Sequence, residues 1–378
     1  MRVGIIAYLA HAGTGYRAAG VSVYVKQLLN WLPRLGPENS YSAFVASDLP
    51  VPRGVQAVRA RLTVTNPLTR TALEQIYVPI VARQSQLDLV HAPVNVLPAA
   101  VVRRASVVTV HDLAFLAHPQ RFRRGRPGYL RRAIRASAER ATLVVAVSNS
   151  TRSDLVRLLG VPEEKIRVVY QGVDGAFRVL SKPDRDTFKT RVLAGRPYIL
   201  HVGTLEPRKN LDVLIRAYAA LRKSIGIPHA LVLAGGSGWA RQHLAELVRD
   251  LGAEADVVFQ GFVPDEDLPG WYNCADLFVY PSAYEGFGLP VLEAMACGVP
   301  TITSASSSLL ELAADACISV EPGSEEALRV ALAKALQDDA ERTRLMRAGL
   351  KRAALFSWER TAAATLRVYE EAAGGPRS

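Results

Sequence analysis

Leu277-Phe278-Val279-Tyr280-Pro281-Ser282-Ala283-Tyr284-Glu285-Gly286-Phe287-Gly288-Leu289-Pro290-Val291-Leu292-Glu293-Ala294-Met295-Ala296-Cys297-Gly298 reads as one strand, one loop and one helix. Leu277 to Tyr280 is a short apolar run of buried-strand length, ending at Pro281. A loop with two glycines follows. Pro290 suits the first residue of a helix, and Gly298 suits its C-terminal cap. The N–H groups of Gly288, Leu289 and their neighbours are then free at the helix start, beside the carboxyl end of a buried strand. Such a place is a ready cradle for a diphosphate.

Two acids flank the cradle, Glu285 in the loop and Glu293 in the first turn or so of the helix. A carboxylate repels phosphate, so its presence here needs another partner. Sugar hydroxyls qualify, because a carboxylate is acceptor only. On this reading Glu293 holds a ribose and Glu285 a transferred sugar. The plainer reading of either acid alone is that it complements the helix dipole. Acid, glycine loop, proline, acid and cap in one order favour the site.

Upstream, His201-Val202-Gly203-Thr204-Leu205-Glu206-Pro207-Arg208-Lys209-Asn210 runs from another strand, Tyr198 to Val202, into a helix that Asn210 is expected to cap. Apolar residues at Leu211, Leu214, Ile215, Tyr218 and Leu221 carry that helix to about Lys223. Arg208 and Lys209 stand where a helix start disfavours cations, so they ask for an anion and could neutralise a leaving diphosphate. Solvated surface charge is the alternative. His201, inside the strand, reads as a satisfied core or wall histidine. Further strands are expected at Leu231 to Ala234, Val257 to Gln260 and Thr301 to Thr303.

The first half repeats the plan. Val3 to Leu9, Ser42 to Ala46, Val107 to Val110 and Leu143 to Val147 read as buried strands, with helices at Val21 to Leu32 and Leu130 to Glu139. Alternation of this kind implies parallel sheets covered on both faces. The fold class expected is α/β, two Rossmann-like doubly wound domains facing across a cleft. The join lies near Gln171 to Pro197. The domains are placed at 1–175 and 176–357, with the final helix, 358–378, crossing back to the first. Ligands of open α/β sheets sit at the carboxyl ends of the strands, where His111, just past Val110, overlooks the expected cleft. A hydrogen-bonded histidine partnered by Asp112 is the alternative. In the loop Gly13 to Gly20, Gly20 lets backbone come near a phosphate, although the spacing is not that of a dinucleotide fingerprint.

The 378 residues carry a net charge of +11, with 49% hydrophobic and 21% charged residues, the balance of a globular protein long enough for two domains. Gly374 to Ser378 is the one stretch that reads as disordered. The short apolar start with a single Arg2 reads as a first strand rather than a signal peptide. Three widely spaced cysteines, Cys274, Cys297 and Cys317, make no metal or disulfide pattern and suit a reducing cytoplasm. Arg121, Arg123, Arg124, Arg126, Arg131, Arg132 and Arg135 crowd one segment that could meet anionic lipid or a phosphate-bearing acceptor, or be a solvated face. No nucleic-acid module is recognisable. The strings Asp184 to Asp186 and Asp265 to Asp267 do not end buried strands, so no metal is assigned to them.

Together these motifs resemble family 4 of the retaining glycosyltransferases, of GT-B architecture. The spacing E-x7-E matches at Glu285 and Glu293, G-T-L-E-P-R-K-N at Gly203 to Asn210, H-D-L-A-F at His111 to Phe115, and F-S-W-E-R-T-A at Phe356 to Ala362. The resemblance implies that Arg208 and Lys209 grip the donor diphosphate and that Glu285, with Gly286, Phe287, Gly288 and Leu289, holds sugar and phosphates. It implies that Glu293 holds the ribose, that Gly261, Phe262 and Val263 line the base pocket, that His111 contacts the sugar and that Gly20 approaches the diphosphate. Gly203 belongs to the same donor-binding set. It implies no metal and no cofactor beyond the nucleotide-sugar, with the leaving phosphate helping to deprotonate the acceptor. Many members carry arginine where Thr204 stands, and an arginine two residues after the glycine equivalent to Gly20, which is absent here.

The motif variants look most like mannosyltransferases of surface-polysaccharide assembly. GDP-mannose is the expected donor, a UDP- or dTDP-hexose its competitor, and a saccharide or lipid-linked molecule the acceptor. The expected place is the cytoplasm, with peripheral contact to the inner face of the plasma membrane. An NAD(P)-dependent oxidoreductase is the rival class, resting on the first glycine loop and on Asp48. A non-catalytic basic binding protein is the third.

Overall fold

Runs that are apolar along their whole length become strands covered on both faces. The chain is described by a computed structural model at residues 1–10, 20–46, 49–60, 67–101, 104–119, 127–236 and 238–374. It divides into two compact units, Met1–Gly172 together with Ser357–Ser378, and Val173–Phe356.

The first unit is built on seven parallel strands: β1 (Arg2–Ile6), β2 (Ser40–Val45), β3 (Val55–Arg59), β4 (Leu89–Ala92), β5 (Ala105–Val110), β6 (Leu143–Ala146) and β7 (Ile166–Val168). Their order is β3-β2-β1-β4-β5-β6-β7. The second is built on six: β8 (Tyr198–Val202), β9 (Ala230–Ala234), β10 (Val257–Gly261), β11 (Leu277–Tyr280), β12 (Thr301–Ser304) and β13 (Ile318–Val320). Their order is β10-β9-β8-β11-β12-β13, again parallel throughout. Both are doubly wound, and the order reverses at β1 and β8.

Amphipathic helices cover the sheets. Leu211–Ile225 buries Leu211, Leu214, Ile215, Tyr218 and Leu221, the five residues marked by the helical period. Asn210 occupies its N-cap position in a left-handed conformation, with no side-chain cap bond. Its Nδ2 donates instead to the carbonyl of Pro281 at 3.0 Å, so the capping expectation gives way to a tie between two loops.

The final helix, Trp358–Gly374, belongs to the first unit, and Gly374, read from sequence as part of a disordered tail, is its last residue. Tyr369 bonds His91 Nδ1 at 2.7 Å, and His91 Nε2 bonds Thr109 Oγ1 at 2.8 Å. Tyr24 Oη lies 3.2 Å from the same Thr109 oxygen. The helix is thereby fixed to β4, β5 and the helix Val21–Leu35 by a buried, satisfied polar network. The division at Gly172 puts the helix Lys182–Arg191 in the second unit. Among the described residues no helix is long and apolar enough to cross a membrane.

Candidate active site

The switch point of the second sheet lies between β8 and β11, which are hydrogen-bonded neighbours. Gly203–Asn210 follows β8 and Pro281–Gly288 follows β11, so the two most informative motifs emerge side by side. Backbone ties them: Ala283 N–H donates to the Arg208 carbonyl at 2.8 Å. Oε1 of Glu285 accepts from Arg208 Nη1 at 2.8 Å, from Lys209 Nζ at 2.5 Å and from Ser282 Oγ at 2.6 Å. Lys209 Nζ also donates to Tyr280 Oη and lies 4.6 Å from the centre of that ring. Arg208 Nε donates to Glu206 Oε2 at 2.9 Å.

Burial alone would push the Glu285 carboxyl up. The Arg208 and Lys209 charges and the bonds from Lys209 and Ser282 outweigh it and hold the group at about 2. Burial and the neighbouring Arg208 lower Lys209, and Glu285 opposes them. Glu285 is therefore an anion with one oxygen locked. Among the described residues its Oε2 has no protein partner, which leaves an acceptor for a hydroxyl.

The two cations were expected to reach for phosphate. The structure pairs both with Glu285, because the adjacent strand ends place them against that loop. Lys209 is only 4% exposed and turned into the protein. Arg208 is the more open of the two.

Glu285 lies in an irregular loop, and its backbone is satisfied by Ser307 and Ser308. Its N–H donates to Ser307 Oγ, and Ser308 Oγ lies 2.9 Å from the carbonyls of both Glu285 and Phe287. Gly288 precedes the helix Leu289–Ala296 with φ of 110°. A Cβ there would lie 2.7 Å from Leu309 Cδ2, so both conformation and space require glycine. Among the described residues the N–H groups of Gly288 and Leu289 have no protein acceptor, as the phosphate-cradle reading of Gly286 to Leu289 requires. Pro290 is the second helical residue, and Gly298, with φ of 71°, follows the last turn.

Glu293 is the fifth residue of the helix, just past the first turn. Tyr272 Oη donates to its Oε2 at 2.8 Å. Burial, with Asp265 and Asp174 adding to it, pushes this carboxyl up to about 7 against the Tyr272 bond. Gly203 N–H donates to Ala234 O at the start of the β8 loop. Val263 is buried and Phe262 exposed just after β10. His201 Nδ1–H donates to Val279 O at 3.0 Å. Among the described residues its buried Nε2 has no partner, so this histidine is satisfied there at one nitrogen only.

Residues 184–352 match the family model Glycosyl transferases group 1, and residues 18–177 match Glycosyltransferase Family 4. O-antigen chain mannosyltransferase B of Escherichia coli is 36% identical over 281 residues, 74% of this chain and 73% of that protein. The chain belongs to the family 4 glycosyltransferases. A D-inositol 3-phosphate glycosyltransferase of Salinispora arenicola is 31% identical over 98% of this chain and 91% of its own. Sucrose-phosphate synthase from Thermosynechococcus elongatus superimposes with a TM-score of 0.80 over 98% of both chains at 23% identity. The fold of this glycosyltransferase is GT-B, and membership overturns the oxidoreductase alternative. Asp48 and the loop residues 11–19 on which that alternative leaned lie outside the described residues.

In the first unit of the glycosyltransferase, Gly20 has φ of 48° at the start of the helix Val21–Leu35, with no atom of a described residue within 4 Å of where a Cβ would stand. His111 offers no ring nitrogen. Nε2–H donates to Pro93 O at 2.8 Å and Nδ1 accepts from Gln171 at 3.1 Å. Asp112, the partner suggested by sequence, accepts from Ala114 N–H instead. The strand ends of β4, β5 and β7 converge on this ring, so any contact with sugar must replace a protein bond or use the backbone. Arg131, Arg132 and Arg135 are exposed on the helix Pro127–Arg140, and Arg135 pairs with Glu139. Arg121, Arg123, Arg124 and Arg126 lie outside the described residues.

Sequence reasoning missed Tyr272, Ser282, Ser307 and Ser308. The last two belong to a run of three, Ser306-Ser307-Ser308, at a helix start, where serine reads as ordinary capping. Nothing local points it toward Glu285.

Proposed function

We propose that this glycosyltransferase is a retaining, metal-independent hexosyltransferase that moves mannose from GDP-mannose to a saccharide or lipid-linked acceptor in surface-polysaccharide assembly. One observation carries the reading: a carboxylate with one oxygen locked by Arg208, Lys209 and Ser282 and the other left open, beside the unpaired N–H groups of Gly288 and Leu289. The open oxygen meets a hydroxyl of the transferred sugar. The helix amides and Arg208 receive the diphosphate and stabilise the charge that grows on it as the glycosidic bond breaks. Lys209 orients Glu285. Glu293 takes the ribose hydroxyls, with Phe262 and Val263 near the base. Mannose is favoured by the name of the 36% identical relative, an O-antigen chain mannosyltransferase. A UDP- or dTDP-hexose is the competing donor.

The site works on the inner face of the plasma membrane, with the arginine-rich segment against anionic lipid. A panel of GDP-, UDP- and dTDP-sugars with chelator present tests the donor and the metal independence together. The anomeric configuration of the product, read by NMR, tests retention. Turnover that needs a divalent cation, or an inverted product, contradicts the corresponding part.

A further inference from the structure

Ser307 is a residue in a costly conformation. Its φ is 45°, in the left-handed region that glycine adopts freely and serine rarely does. Strain of this sort persists where the surroundings impose it, often at a site that uses it. Its neighbours give the reason. With the backbone so turned, Ser307 Oγ accepts the Glu285 N–H at 2.9 Å. Ser308 Oγ, next in the chain, is 2.9 Å from the Glu285 carbonyl. Ser306 Oγ donates to Ser282 O at 3.1 Å, and Ser282 Oγ in turn donates to Glu285 Oε1 at 2.6 Å. Three consecutive serines thus hold the loop of Glu285 through hydrogen bonds to its backbone and to Ser282.

We propose that Ser307 is a positioning residue for sugar transfer, held in a strained backbone so that its hydroxyl fixes the Glu285 amide and aims the carboxylate at the sugar. This rests on the reading of Glu285 given above. A purely structural serine at this φ is improved by glycine, which removes the strain. A positioning serine is not, because glycine also removes the hydroxyl, so stability and turnover separate.

The test measures Tm and steady-state kinetics for Ser307→Gly, Ser307→Ala and Ser307→Asn, using the nucleotide sugar that the wild-type protein turns over fastest. Ser307→Gly should keep or raise Tm and lower kcat about tenfold or more, the scale of one lost hydrogen bond or a small misplacement. Inhibition by the free nucleoside diphosphate should not change, since that ligand has no sugar for Glu285 to meet. Ser307→Ala, strained and without the hydroxyl, should lose both Tm and kcat. Ser307→Asn tolerates the left-handed region and offers an acceptor, so it should recover part of kcat. Wild-type turnover in Ser307→Gly overturns the proposal, as does kcat that follows Tm across all three variants. If the wild-type protein turns over no nucleotide sugar, the role of Glu285 falls first and this inference falls with it.

Discussion

Lys209 Nζ donates to Oε1 of Glu285 at 2.5 Å although the residues stand 76 positions apart. The contact exists because β8 and β11 are neighbours at the reversal of strand order. Lys209 is buried and Arg208, on the same oxygen, is more open. Lys209→Ala removes the buried cation and leaves the carboxylate to the more open Arg208, and is expected to cost about 3 kcal/mol of stability, while Arg208→Ala, which keeps the buried pair, costs about 1 kcal/mol or less. Both should lower turnover about a hundredfold. Urea unfolding beside kinetics checks this. Equal destabilisation by the two variants would contradict the division of roles.

Donor binding should depend on pH. The Glu293 carboxyl is held near 7, chiefly by burial and then by Asp265 and Asp174. The ionised form is the better acceptor for ribose hydroxyls. Affinity for a nucleoside diphosphate should therefore rise as pH climbs through about 7 and level off above it. Calorimetric titration reads the step. Glu293→Gln cannot ionise and should flatten it. An unchanged step in that variant would assign the titration to the ligand phosphate.

The loop needs glycine at 288. Gly288→Ala meets both a φ of 110° and Leu309 Cδ2 at 2.7 Å. A loss of about 2 kcal/mol or more is expected, with a fall of several degrees in Tm. Adding Leu309→Val, which removes part of the overlap, should recover some of the loss in a melting experiment. No recovery would mean that backbone strain alone decides.

Acid should loosen the first unit through His91. Burial, with His111 adding to it, lowers His91 to about 3. The unfolded chain binds the proton near 6.5, so stability is complete above about 6.5 and is lost as pH falls toward 3, at up to about 1.4 kcal/mol per pH unit. His91→Gln, neutral at every pH, should flatten this part of the acid limb in unfolding curves taken at several pH values. An unchanged slope would place the effect on other groups.

Much of this was legible in the chain. Leu277–Tyr280 was readable to the residue because a central parallel strand is apolar without interruption, and Tyr198–Val202 because three apolar residues precede His201, and Val202 and Gly203 follow it. Val55–Arg59 escaped notice since it is a half-exposed edge strand, and Leu89–Ala92 because His91 interrupts four residues. Ile166–Val168 and Ile318–Val320 are three residues each, too short for any period to register. Glu285, Arg208 and Lys209 were readable as chemistry, but their mutual pairing follows from strand order. The same holds for Asn210, whose side chain left its helix for Pro281, and for Ser307, whose partner lies 22 positions away.

The most direct measurement is release of nucleoside diphosphate from a panel of nucleotide sugars by the wild-type protein and by Glu285→Gln. The wild type should consume at least one donor, GDP-mannose foremost. The variant, still folded by circular dichroism, should be slower by about a hundredfold. Undiminished turnover in Glu285→Gln, or no turnover of any donor by the wild type, would contradict the site described here.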